Sequence, residues 1–158
     1  MKGKIGLVAG AATGLLLLTA TPNAQDGGPE WIDVPLSENT YREHERAMRQ
    51  DKIEIPLGAF DELEYKLGME EGDAIVYSWR VEGIDDPEFL FAEFHGHTEP
   101  VPGEPGTVMF YRRAEGGTEN GALTAPFSGI HGWFLQNRST RAIVVHLEVA
   151  GFYELIDQ

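Results

Sequence analysis

The sequence predicts an all-β domain, an antiparallel β-sandwich or jelly roll of about eight strands. Three observations carry this expectation. Short runs of alternating apolar and polar residues recur from Lys52 onward, with turn residues between them. The chain holds 19 Gly and nine Pro with 10% aromatic residues, a composition suited to short strands and tight turns. Strand-like runs follow one another directly, which argues against a βαβ fold.

The N-terminus reads as a targeting segment. Lys2 and Lys4 precede an apolar run from Ile5 to Ala20, and Ala24 offers a small residue for cleavage. The run has 16 residues, short of the roughly 20 that span a bilayer. Residues 1–24 are therefore a signal peptide or a short membrane anchor. Both readings place the rest outside the cytoplasm: exported and periplasmic, soluble after cleavage or tethered by residues 5–20. Residues 25–51 read as a linker punctuated by Pro and Gly, with a short helix. Thr40-Tyr-Arg-Glu43 has the spacing of a capping box, and helix-compatible residues continue to about Gln50.

The sandwich is expected over residues 52–158. Ile53, Ile55 and Leu57 alternate in a first strand, and Pro56 puts it at an edge or strand end. Leu63, Tyr65 and Leu67 mark a second, and the turn Gly68–Asp73 follows. Ile75, Tyr77, Trp79 and Val81 make a central strand. Phe89 to His97 is aromatic and β-compatible, Thr98 to Gly106 a Pro-rich loop, and Thr107 to Arg112 a strand. Ala114 to Gly121 reads as a polar, Gly-rich loop. From Gly121 to Leu155 the pattern is clearest. Ala125-Pro-Phe-Ser-Gly129 is turn chemistry. In the next run His131, Trp133 and Leu135 share one side and Gly132, Phe134 and Gln136 the other. Asn137 to Thr140 is a break of hairpin length. Ile143, Val145, Leu147 and Val149 then face away from Val144, His146 and Glu148. Trp79, Trp133, Tyr77, Ile143, Val145 and Leu147 are expected in the core.

Composition excludes several function classes. The formal charge is −14, which makes nucleic acid a poor partner and an anionic membrane surface repulsive. Loss of Lys2 and Lys4 with a signal peptide leaves ten cations against 26 acids, a charge of −16. With no Cys there are no disulfides, thiolate metal sites or lipidated Cys. Ser128 is not in a nucleophile elbow, and no phosphate-binding Gly loop opens a helix. No catalytic residue is expected.

Histidine is the chemistry worth weighing. His95 and His97 are two apart, so a strand sends both rings to one face, and Glu93 joins them. His131, on another strand, is expected to converge with them as a third ligand. Imidazole and carboxylate donors suit Zn²⁺ or Cu²⁺. Against this stands an architectural reading, in which His95 or His131 donates a ring N–H to a carbonyl or carboxylate and no cofactor is held.

The segment Gly129-x-His-Gly-Trp-Phe134, followed by Asn137-Arg-Ser139 and a strand ending in Gly151-Phe-Tyr153, carries a resemblance. So do Leu67-Gly68, Glu71-Gly72, Val76–Trp79 and Phe94-His95-Gly96 upstream. Residues 52–156 resemble small bacterial envelope proteins called transmembrane anchor proteins, grouped with the emp24/gp25L/p24 proteins through a GOLD-type β-sandwich. The resemblance implies a GOLD-like domain. The chain departs from eukaryotic p24 proteins in having no Cys and no coiled coil, so cargo-receptor function is not transferred. Two functions remain in view. One is a non-enzymatic exported module that presents a sandwich edge or loops to another envelope protein. The other is a periplasmic metal-binding protein using His95, His97 and His131.

Overall fold

The computed structural model describes residues 31–37 and 40–156. The expected signal or anchor segment and residues 25–30 lie outside the described residues. Two compact units divide the chain, up to Tyr41 and from Arg42 onward. In the first, the described residues have no regular secondary structure, and Trp31, Ile32, Val34 and Leu36 are exposed.

The second unit is an antiparallel β-sandwich. Its strands are β1 (Arg49–Leu57), β2 (Glu62–Met69), β3 (Ala74–Glu82), β4 (Leu90–His97), β5 (Val108–Glu115), β6 (Thr118–Thr124), β7 (Gly129–Asn137), β8 (Ile143–Gly151) and the two-residue β9 (Glu154–Leu155). One sheet has the order β1-β8-β3-β6 and the other β5-β4-β7-β2-β9. The pairs β1–β8, β2–β7, β3–β6 and β4–β5 are all antiparallel. A long hairpin wrapped so that first meets last and the middle strands meet each other is the jelly-roll pairing scheme. The strand pattern from Lys52 onward therefore gave the right class.

Alternation explains which face each residue takes. Ile143, Val145, Leu147 and Val149 are buried on β8, as are Ile75, Tyr77 and Trp79 on β3. The second sheet answers with Tyr65 and Leu67, with Ala92 and Phe94, and with Trp133 and Leu135. All six residues expected in the core are at most 9% exposed. Trp133 stacks on Phe94 at a centroid distance of 4.6 Å and meets Tyr77 edge-on at 4.9 Å.

Three local expectations are corrected. Residues 40–50 form no helix, and among the described residues the only helical turn is the 3-10 turn Pro87–Phe89. The segment has too few apolar residues for a buried helical stripe, and its polar side chains find partners elsewhere. The Arg42 guanidinium donates to the Glu71 carbonyl at 2.7 Å, and Arg46 reaches Glu70 and Glu154. His44 stacks on Phe152 at 3.8 Å and pairs with Asp73 at 3.2 Å. Much of the stretch read as a Gly-rich loop is instead the end of β5, a turn and β6. At the edge of its sheet β6 needs only one partner, β3, and little apolar surface.

Finally, Asn137 to Thr140 does not close a hairpin. β7 pairs with β2 and β4, while β8 pairs with β1 and β3, so the chain crosses between sheets there. Fully buried Asn137 organises the crossing. Its amide donates to the carbonyls of Gly58 and Arg141, each at 2.7 Å, and its Oδ1 accepts from the Ser139 N–H and hydroxyl.

Candidate metal centre

The site is built by β4 and its neighbours. Leu90, Ala92, Phe94 and Gly96 face the core, so Phe91, Glu93, His95 and His97 lie on the outer face of the five-stranded sheet. The His95 and His97 rings stack there at 5.9 Å, only 19° from parallel. Gly132 of β7 is paired with His95, and beyond it lies β2, whose Lys66 pairs with Gly132 and whose Glu64 pairs with Phe134. With no side chain on Gly132, the His95 ring crosses β7 and brings Nε2 to 3.0 Å from Glu64 Oε1. A Cβ at Gly132 would stand 1.9 Å from the Tyr65 carbonyl oxygen, so that gap is fixed by the backbone. Glu64, His95 and His97 each offer one donor atom, and the three atoms lie within 4.8 Å of one another.

The surroundings orient these rings. His95 is 9% exposed, and its Nδ1 is buried without a hydrogen bond, the Glu93 carboxylate standing 3.5 Å away. Glu93 is itself paired with Arg113, whose guanidinium lies over the Phe110 ring at 3.7 Å. Phe110 flanks His95 at 5.8 Å. His97 places Nδ1 at 3.2 Å from the Thr98 carbonyl oxygen, which an N–H there satisfies, leaving Nε2 as the lone-pair nitrogen. Lys66 pairs with Glu64 at 3.3 Å.

His131 does not join this cluster. Its strand does lie beside β4, with His131 paired to Gly96, but the ring points to the core face and is fully buried. Both nitrogens are engaged. Nε2 lies 3.0 Å from the Phe127 carbonyl oxygen and so carries the proton, while Nδ1 accepts from the Tyr111 hydroxyl at 2.8 Å. Burial holds its pKa below the ordinary 6.5, against the raising effect of the Phe127 carbonyl. Burial also pushes the Tyr111 hydroxyl up to about 12, so it remains a donor. His131 is architectural because alternation on β7 puts it beside Trp133, not beside Gly132.

Two contributors escaped the sequence reading. Glu64 sits on the polar side of β2, and nothing local shows that β2 lies two strands from β4. Tyr111 is turned inward where the β4–β5 register shifts: His95 pairs with Phe110 and Phe94 with Arg112, which leaves Tyr111 as the extra residue. Elsewhere, a concavity over the other sheet is lined by side chains that are already engaged, Lys52 with Glu148 at 2.9 Å, and His146, whose Nε2 lies 3.0 Å from Glu82. Ser128 accepts from the Glu71 N–H at 2.9 Å and serves a turn. Among the described residues no helix is long and apolar enough to cross a membrane.

No protein-family model and no curated protein matches the chain. Among solved structures it is similar to a de novo designed double-stranded β-helix, with TM-score 0.34 and 18% identity over 63% of this chain and 97% of that one. It is similar to PliG of Aeromonas hydrophila, a periplasmic inhibitor of g-type lysozyme, with TM-score 0.39 and 17% identity over 65% and 85%. A third likeness is to the disulfide-linked pili of Bacillus endospore appendages, with TM-score 0.39 and 12% identity over 77% and 98%. At these identities the likeness extends no further than β architecture.

Proposed function

We propose that this protein is an exported, non-enzymatic binding module that offers strand β5 to an extended, apolar segment of another envelope protein. One observation carries the reading. β5 is the edge of the five-stranded sheet, and three consecutive residues on it, Val108, Met109 and Phe110, are 54%, 43% and 46% exposed. An uncovered edge strand presents free backbone groups, and apolar side chains beside them favour strand addition by a partner. The other long edges are guarded. β1 carries Lys52, Glu54 and Pro56, and β6 carries Glu119 and Asn120. The positive N-terminus with its apolar run supports export, and so does the resemblance of residues 52–156 to bacterial envelope proteins.

A photo-crosslinking residue in place of Met109, in the full chain in producing cells, tests this. The expected result is one discrete adduct in the envelope fraction, lost on adding Phe110→Lys, with none from the same probe at Glu54 on β1. Absence of an adduct at 109, equal labelling from β1, or an adduct of twice this chain's own mass overturns it.

A further inference from the structure

We propose that Glu64, His95 and His97 form a binding site for one borderline divalent transition cation, Zn²⁺ or Cu²⁺. This inference is independent of the β5 reading. The first support is the donor set: two imidazoles and a carboxylate with donor atoms within 4.8 Å, on three-residue geometry that two different strands supply. Donors on a tetrahedral ion at ~2.0–2.1 Å stand ~3.3 Å apart. Closing from 4.8 Å asks for side-chain rotation, not movement of the sheet.

The second support is the state of His95. Both of its nitrogens face carboxylates, Nε2 toward Glu64 at 3.0 Å and Nδ1 toward Glu93 at 3.5 Å. A neutral ring has one N–H for these two partners, so one carboxylate faces a lone pair. A cation between Nε2 and Glu64 resolves the conflict. A proton there would serve His95 and Glu64 alone; a metal ion also uses the His97 nitrogen that the structure holds close by. With Nε2 of His95 on the metal, its Nδ1–H points to Glu93, the carboxylate–histidine–metal arrangement that orients metal-bound imidazole. His97 is oriented in the same way by the Thr98 carbonyl at 3.2 Å, which keeps its Nε2 for the ion. Arg113 holds Glu93 in turn, so each ring has an outer partner.

The nitrogen-rich set also says what is excluded. Hard cations such as Mg²⁺ and Ca²⁺ require all-oxygen shells and are not expected to bind. Glu64 now holds the Lys66 ammonium at 3.3 Å, and an arriving dication takes that place on the carboxylate.

The test is calorimetric titration of the purified, metal-stripped full protein with ZnCl₂ and, separately, CuSO₄, with MgCl₂ as control. One ion per chain at micromolar Kd or tighter is expected. Co²⁺ substitution should give the visible absorption of a four-coordinate nitrogen–oxygen site. His97→Gln and Glu64→Gln should each weaken Zn²⁺ at least tenfold with an unchanged far-UV spectrum. Glu93→Gln, at a positioning residue, should weaken it about 10–100-fold. His146→Gln, on the other sheet, should change nothing. His97 and Glu64 are partly exposed, so these variants serve even where His95→Gln unfolds the protein. No saturable binding below about 100 μM, or binding retained in His97→Gln/Glu64→Gln, overturns the site.

Discussion

Replacing Trp133 by alanine tests the core at its centre. Trp133 is 1% exposed and is packed among Ile55, Trp79, Leu135, Val145 and Leu147. Removal of a buried Trp costs ~3–5 kcal/mol. The stacked Phe94 and edge-on Tyr77 each lose an aromatic partner, worth ~0.5–1.5 kcal/mol beyond area, which offsets the relief of deleting the indole's unpaired N–H, so the middle of that range is expected. For a domain of about 120 residues, ~4 kcal/mol corresponds to a drop of roughly 15 °C in Tm. The indole has a peculiarity that sharpens the test: its Nε1 is buried without a hydrogen-bond partner. An unpaired buried donor costs ~1–3 kcal/mol, and Trp133→Phe removes that cost while keeping a ring against Phe94. Trp133→Phe should therefore lose about 1 kcal/mol or less. Urea denaturation of wild type and both variants, fitted with a common slope, measures the difference. An alanine variant within about 1 kcal/mol of wild type would refute the packing argument. A phenylalanine variant as damaged as alanine would refute the account of the orphaned N–H.

Three further outcomes are expected. A Cβ on Gly96 would stand 2.3 Å from His131 Nδ1 and 2.4 Å from the Tyr111 oxygen, so Gly96→Ala should break that hydrogen bond and cost ~2 kcal/mol by denaturation. Asn137→Ala strands the carbonyls of Gly58 and Arg141 in the crossing and should cost ~2–4 kcal/mol, read as a shift in urea midpoint at unchanged slope. Because burial lowers the His131 pKa, the unfolded chain binds the proton more readily than the fold does. The stability that comes from keeping this ring neutral is complete above pH ~6.5 and is lost as pH falls below it, by up to ~1.4 kcal/mol per unit. Tm measured from pH 8 to 5 should fall less steeply for His131→Gln than for wild type.

Strand class and facing were legible because alternation is local: a reader of Ile143 to Val149 needs no other part of the chain to know which residues are inside. Pairing was not local. Asn137 to Thr140 has the length and residues of a hairpin, and only the carbonyls of Gly58 and Arg141, which Asn137 binds, reveal a crossing. β6 was hidden because an edge strand with one partner tolerates Glu119, Asn120 and Gly121, residues that elsewhere signal a loop. Thr40 to Gln50 misled in the opposite direction: its capping pattern is real, but the contacts of Arg42, His44 and Arg46 with distant turns outweigh a helix with no apolar stripe. Of the candidate ligands, His95 and His97 followed from their spacing. Glu64 belongs with them through sheet order alone, and the same rule that put His131 beside Trp133 removes it from the set.

The wrapped pairing also bears on how the chain reaches its fold. β8 lies between β1 and β3, with Arg49 paired to Gly151 and Leu57 to Ile143. A chain emerging N-terminus first has neither central partner for β1 nor a closed first sheet until almost all of it is available. Pairings of such sequence separation form slowly, since loop closure precedes any compensating contact. Partial chains therefore stay open, and the domain condenses as a unit only once nearly all of it is available.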